Sequence, residues 1–180
     1  MDGAATTHDL ILIRHAKSDY PPGVVDHDRP LNARGLRDAP RIGAWLAARQ
    51  PPGTRDVTCV LVSTARRAQL TWLLASGAMG AAAGSWVDHD EPRVYEAPSR
   101  RLATVVGELR ESCRSAVLVG HNPGLDDLVA DLTDPAELPA SPFAGFKTST
   151  ITVLRTEQEW PVAASVPGSF RVVDYHVARG

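Results

Sequence analysis

Leu10-Ile11-Leu12-Ile13-Arg14-His15-Ala16-Lys17-Ser18 is the stretch from which this chain can be read. Four successive apolar residues, bounded by polar ones, predict a short buried strand. A strand that ends abruptly in Arg14-His15 sets both side chains at the carboxyl edge of a sheet. In open α/β sheets that edge is where ligands bind. A histidine there can act as a nucleophile, and the arginine beside it can hold an anion. The pair gains weight because other strand ends carry matching chemistry.

Further apolar, β-branched runs lie at Val57 to Val62, Ala116 to Val119, Thr150 to Leu154 and Phe170 to Tyr175, with a short one at Arg93 to Tyr95. Helical patterns separate most of them. Leu36, Ala39, Gly43, Leu46 and Ala47 share one face of a helix ending near Arg49; Asn32 can cap it, and Pro40 should kink it or delay its start. Ala65 to Ala75 predicts a second helix with Ser63 or Thr64 as cap. Ser99 to Arg110 predicts a third, its apolar positions Leu102, Val105, Val106 and Leu109 spaced i, i+3, i+4, i+7; Gly124 to Leu132 is a short fourth. Alternating strands and helices predict a three-layer α/β/α sandwich with a mostly parallel central sheet. Pro21 to Val25, Gln50 to Thr54 and Asp134 to Gly145 read as surface loops, and Gly77 to Gly84 as a mobile Ala/Gly-rich piece.

The 180 residues form one domain, 1–180, with 1–8 as a loose tail. The composition, 43% hydrophobic and 22% charged, is that of an ordinary globular protein. A net charge of -2 argues against a nucleic-acid partner, so an anion site has to come from local clustering of arginine and lysine. No apolar run approaches the about 20 residues that span a bilayer, so no membrane partner is expected. The first seven residues lack the basic patch and apolar core of a secretory signal. Cys59 and Cys113 have no metal-ligand spacing, and Cys59 reads as a small core residue. A cytoplasmic, reduced location is the expectation.

The second strand is followed by Ser63-Thr64-Ala65-Arg66-Arg67-Ala68-Gln69-Leu70-Thr71. Two arginines thus enter the first turn of a helix, where free N–H groups and the positive end of the helix dipole also lie. That environment suits phosphate. Ala116 to Val119 leads into Gly120-His121-Asn122-Pro123-Gly124, which brings a second histidine, and Arg93 to Tyr95 leads into Glu96. Taken singly, His15 and His121 read as satisfied edge histidines, Arg66 and Arg67 as solvated, and Glu96 as a surface carboxylate. His8, His27, His89 and His176 read as structural or solvated, and Asp126 and Asp127 as serving the start of a helix. The joint pattern is what points to phosphate chemistry.

The combination resembles the histidine phosphatase superfamily, and within it the short SixA-like phosphohistidine phosphatase branch. The likeness spans nearly the whole chain: the opening strand with Arg14-His15-Ala16-Lys17-Ser18, Asp28-Arg29-Pro30-Leu31 followed by Gly35, the Ser63 to Thr71 element, and Val119-Gly120-His121-Asn122-Pro123-Gly124-Leu125. The resemblance implies a phosphoglycerate mutase-like fold. It also implies His15 as nucleophile, Arg14 and Arg67 as phosphate clamps, and His121 as the second histidine. Arg67 fits better than Arg66 because it precedes Ala68 and lies four residues before Thr71. Glu96 stands where many relatives carry a proton donor. Lys17, Ser18 and Asn122 are candidate substrate-binding residues. The motif glycine is Ala16 here, a methyl that would strain the backbone were its φ positive.

The reading is a metal-independent phosphatase, with no metal and no cofactor, acting through a phosphohistidine intermediate on protein phosphohistidine. The alternatives are a small-molecule phosphomonoesterase or a weakly catalytic phosphate-binding module. Its partner is accordingly a phosphorylated protein or a small phosphate ester.

Overall fold

The computed structural model describes residues 7–49, 57–83 and 86–179. Six strands make one sheet: β1 (His8–Arg14), β2 (Val57–Val62), β3 (Trp86–Asp90), β4 (Cys113–Gly120), β5 (Thr150–Thr156) and β6 (Arg171–Val177). Their order is β3-β2-β4-β1-β5-β6. The first four in that order run parallel; β5 is antiparallel to β1, and β6 to β5. The helices are α1 (Ala33–Arg49), α2 (Arg66–Met79), α3 (Ser99–Gly107), α4 (Gly124–Leu132) and α5 (Trp160–Ala163).

The two-residue period of the strands sorts the core into two layers. Leu10 and Leu12 face one side with Leu118, Leu125, Leu128 and Val106, under α3, α4 and α5. Ile11 and Ile13 face the other with Val60, Val117, Ile42 and Trp72, under α1 and α2. This is the three-layer arrangement the sequence predicts. A sheet covered on both faces explains why β1 and β4 read as unbroken apolar runs. The parallel strands also end together, so Arg14, Ser63, Glu91 and His121 all emerge at one edge.

Two glycines let backbones meet. A Cβ on Gly35 would lie 2.2 Å from the Lys17 carbonyl oxygen, so the first turn of α1 can pass directly against the loop that follows His15. A Cβ on Gly43 would lie 1.9 Å from the Ala75 carbonyl oxygen, where α1 crosses α2.

Several elements depart from the sequence reading. Residues 92–94 form a 3-10 turn, and the strand beside β2 is Trp86–Asp90. That strand lies at the sheet edge with mostly exposed side chains, so it has no apolar signature. The segment expected to be mobile continues α2 through buried Met79 into a 3-10 turn at Gly80–Ala83; residue 84 lies outside the described residues. Asn32 does cap α1, its Oδ1 accepting the Gly35 N–H at 3.0 Å. The helix nonetheless runs through Pro40, because the carbonyl that Pro40 leaves without a donor belongs to Leu36, an exposed position. Leu36 is therefore not part of the buried face. α2 begins at Arg66 with Ala65 as N-cap and no side-chain cap bond, and α3 stops at Gly107. The α5 turn had no sequence signal.

His8 belongs to β1 rather than to a tail; it is fully buried, its ring 5.0 Å from that of Trp160. The rest of the expected tail up to residue 6, and the loop Gln50 to Thr54, lie outside the described residues. Cys59 is not an isolated core thiol. It is bonded to Cys113 across β2 and β4, whose Cα atoms stand 5.6 Å apart, within disulfide reach. The bond removes the reduced-thiol argument for a cytoplasmic location. No described helix is long and apolar enough to cross a membrane.

Gly43→Ala is expected to destabilise the protein. Helix propensity alone would favour alanine by about 1 kcal/mol. The clash with the Ala75 carbonyl opposes this, and overpacking typically costs roughly 1–3 kcal/mol. A lower denaturation midpoint checks the expectation; an unchanged or higher midpoint would show that α1 and α2 can separate freely.

Candidate active site

β1 and β4 pair with Arg14 opposite Gly120, and the His15 N–H continues the ladder to the Gly120 carbonyl at 3.2 Å. The residues that follow, His15 and His121, therefore stand side by side, ring centroids 5.0 Å apart. α2 is tied to the same loop through Thr71. Its hydroxyl accepts the Ala16 N–H at 2.9 Å and donates to the Arg67 carbonyl at 2.6 Å. The four-residue spacing of Arg67 and Thr71 thus couples the arginine's helix to the histidine's loop. Ala16 itself is fully buried, and its φ is not positive; among the described residues the non-glycine positions with positive φ are Glu96 and Ser149. The methyl that replaces the motif glycine packs beside Leu31 and Ala39 without strain.

The hydrogen bonds of His15 fix its tautomer. Nδ1 donates to the Ala16 carbonyl at 2.7 Å, because a carbonyl can only accept. Nε2 is then the bare nitrogen, and Arg67 Nε donates to it at 3.3 Å. Arg67 gives its Nη1 to the Asp26 carbonyl at 2.7 Å and its Nη2 to Asp26 Oδ2 at 2.9 Å. Arg14 gives Nη1 to the Phe146 carbonyl at 2.6 Å, while its Nε is buried without a partner. His121 Nε2 meets Ser63 Oγ at 2.7 Å, and its Nδ1 is likewise buried without a partner. Ser63 Oγ already accepts the Ala65 N–H at 3.3 Å. A hydroxyl that accepts the Ala65 N–H can still donate to Nε2 or accept from it, so this bond is made with the His121 proton on either ring nitrogen.

Both histidines are neutral at physiological pH. Burial, above all, brings His15 down from 6.5 to about 3; the bond to Ala16 opposes this, and Arg67, Arg14 and Arg29 add to it. Burial, then His15 and Arg67, brings His121 to about 3 as well. Burial lowers Arg14 too, against the attraction of Asp126.

Arg14, His15, Arg67 and His121 are thus brought together, and Arg66 is exposed. Ser18 is buried, its Oγ accepting Arg29 Nη2 at 2.5 Å. Lys17 is half-buried. The Asn122 amide donates to Asp126 Oδ2 and, at 3.1 Å, to the Phe146 carbonyl, leaving its Oδ1 buried and without a partner. Glu96 is exposed and makes no hydrogen bond or ion pair among the described residues.

Four further residues meet the site without a sequence signal for it. Asp26 ties down Arg67; Tyr95 packs edge-on against His121 at 5.6 Å and donates to Asp26 Oδ2 at 2.9 Å. Asp126, read only as a helix-start charge, accepts the Phe146 N–H at 2.8 Å and so holds the loop that meets Arg14. His27, read as lacking context, also touches the site, with Nε2 at 3.1 Å from Thr64 Oγ1 and its ring edge-on to Tyr95. Asp26 stands two residues before the Asp28-Arg29-Pro30-Leu31 motif, and no spacing rule marks it. Among the described residues, no group of three or more His, Cys, Asp or Glu is placed to hold a metal ion.

Depressed histidine pKa values set a sign for pH dependence. Between about 3 and 6.5 the unfolded chain binds protons at these two positions that the native chain does not. Their contribution to stability is therefore complete above about 6.5 and declines as pH falls toward 3. Ring-proton NMR on the ligand-free protein should show His15 and His121 unmoved between pH 8 and 5. A midpoint near 6.5 for either ring would contradict the burial argument.

The histidine phosphatase superfamily (branch 1) model matches residues 10–94, a span that holds β1, α1 and α2. An uncharacterized protein of Mycobacterium tuberculosis, Rv1276c, is 36% identical over 171 residues, covering 93% of this chain and 100% of that protein. Two solved structures provisionally named phosphohistidine phosphatase SixA are similar throughout. The one from Nakamurella multipartitia has a TM-score of 0.75 at 26% identity and covers 94% of this chain and 95% of its own. The one from Agrobacterium tumefaciens has a TM-score of 0.69 at 26% identity, covering 94% and 97%. Family model, whole-length fold and the convergence of two strand-end histidines with two arginines agree, and the chain belongs to the histidine phosphatase superfamily, with a SixA-like form.

Proposed function

We propose that this protein is a phosphohistidine phosphatase that works through a covalent phosphoryl group on His15 and uses no metal. The observation that carries the reading is the state of His15: Nδ1 donates to Ala16, Nε2 keeps its lone pair, and the ring stays neutral among arginines. A nucleophile of that kind is ready for in-line attack on phosphorus.

His15 Nε2 forms a bond to phosphorus as the bond to the leaving group breaks, and the departing atom keeps the electron pair and gains a proton. Water then attacks the phosphorus. His15 leaves with its pair, and inorganic phosphate is released. Arg67 Nε, already beside Nε2, is within reach of an oxygen on a phosphorus joined to that nitrogen. Arg14 Nε is a buried donor with no acceptor among the described residues, and His121 Nδ1, also buried and unpaired there, is a second when it carries the ring proton; a phosphoryl oxygen supplies an acceptor to each. In that tautomer His121 donates from Nδ1 while neutral, so the ring need not be cationic to serve. These cationic and dipolar groups supply the charge stabilisation a metal would give. Lys17 adds charge near the entrance, and Ser18 can still donate its hydroxyl proton.

The leaving group favours the phosphohistidine reading over the ester reading. An imidazole departs readily and can take its proton from solvent. An alkoxide needs a positioned acid, and the candidate, Glu96, is exposed and makes no hydrogen bond or ion pair among the described residues. The two SixA-like structures, each more than 25% identical, support the same choice.

A phosphohistidine-bearing protein and an aryl phosphate, each assayed with wild type and arginine variants, test the proposal. Arg67→Ala should slow phosphohistidine hydrolysis on the order of 10²- to 10³-fold. Arg66→Ala should leave it within about twofold, since that side chain is exposed. Chelators should change neither rate. No release of phosphate from phosphohistidine by wild type, or EDTA inhibition reversed by a divalent metal, would overturn it.

A further inference from the structure

We propose that Asp26 selects the leaving group: its carboxylate, fixed at the mouth of the site, favours substrates whose departing moiety is positively charged in the bound substrate and disfavours those whose departing moiety is negative. This rests on the reading that His15 accepts the phosphoryl group.

Asp26 is held in place from three sides. Oδ1 accepts Arg29 Nη1 at 2.5 Å, and Oδ2 accepts both Arg67 Nη2 and the Tyr95 hydroxyl at 2.9 Å. Its carbonyl takes Arg67 Nη1 at 2.7 Å. Arg29 is itself fixed, donating to the Asp19 carbonyl and Ser18 Oγ and lying 3.4 Å over the Tyr20 ring. Burial works against the charge of Asp26, yet the bonds from Tyr95, Arg29 and Arg67 outweigh it and hold the carboxyl at about 2. It is ionised throughout the physiological range.

The arginine shared by Asp26 and the nucleophile gives the direction. Arg67 turns Nε inward to His15 and both Nη atoms outward to Asp26. His15 is 7% exposed and the Arg67 side chain 6%, whereas the Asp26 side chain is 43% exposed. Arg67 thus reaches from the buried nucleophile to a carboxylate that stands partly in solvent, and Tyr95 adjoins both Arg67 and His121. In-line transfer places the leaving group opposite His15 Nε2, on the outward side. A phosphohistidine ring protonated on its free nitrogen brings positive charge to the carboxylate, a charge the ring gives up as the electron pair of the P–N bond returns to it and imidazole departs neutral; a carboxylate-bearing alcohol leaving there meets a like charge.

The test compares wild type with Asp26→Asn on three substrates: a peptide carrying phosphohistidine, phosphocholine and 3-phosphoglycerate. The substitution keeps the size of the side chain and removes its charge. It should lower kcat/KM for the first two by roughly threefold to fivefold and raise it for the third by a similar factor, as befits a partly exposed charge pair. The same change in all three would overturn the proposal and leave Asp26 as no more than a tether for Arg67. Where turnover is too slow to read, the affinities of phosphocholine and 3-phosphoglycerate for His15→Ala protein, with and without Asp26→Asn, give the same ratio. If wild type spares phosphohistidine while the two esters still shift in opposite directions, the substrate reading falls and the selection by Asp26 stands.

Discussion

The parallel pairing of β1 with β4 is the constraint on which the site depends. With Arg14 opposite Gly120, the next residue on each strand is a histidine, and the two rings have nowhere to go but side by side. The register is locked from below. Leu10 and Leu12 face one core layer, Ile11 and Ile13 the other, and β4 is buried along Ala116 to Val119. A slip of one residue would turn each strand's side chains to the opposite layer. The spacing of the histidines is thus set by packing that does not itself touch substrate.

Onto that frame the chain loads a concentration of positive charge and unpaired polar groups. Two arginines and two neutral imidazoles stand together, with His15, Arg67 and His121 buried, and Arg14 Nε and His121 Nδ1 have no partner among the described residues. Buried unpaired polar groups cost stability, and such costs persist where function needs them. The segment from Asp19 to Leu31 offsets part of the charge by bringing Asp26 onto Arg67 and Arg29. That segment is anchored at both ends: Asp19 N–H donates to the Pro30 carbonyl at 2.9 Å, and Ser18 bridges Leu31. The rim of the site is therefore a tied strap that holds a carboxylate beside the nucleophile's arginine.

Most of the architecture was legible in the sequence because a doubly covered sheet writes itself as apolar runs. β2 and α4 fall on their predicted residues, β1, β4 and β5 extend their predicted runs by one to three residues at one or both ends, and β6 starts one residue later than predicted and ends two residues later. β3 was illegible for the opposite reason: Trp86–Asp90 pairs on one edge and exposes most of its side chains, so acidic residues sit in a strand. The convergence of Arg14, His15, Arg67 and His121 was legible because each stands at or just past a strand end. The choice of Arg67 over Arg66 follows the helix, which buries one and exposes the other. Asp26, Tyr95 and the disulfide were not legible. They depend on which loops fold back over the edge and which strands become neighbours, and neither carries a local periodicity.

The central claim is that His15 is bare at Nε2 because Nδ1 is committed to the Ala16 carbonyl. The most direct measurement is to quench the enzyme during turnover of a phosphoryl donor under alkaline conditions and locate the phosphate by mass spectrometry and phosphorus NMR. The account predicts phosphate on Nε2 of His15. Phosphate on Nδ1 of His15, phosphate on His121, or turnover with no covalent phosphoryl group would contradict it.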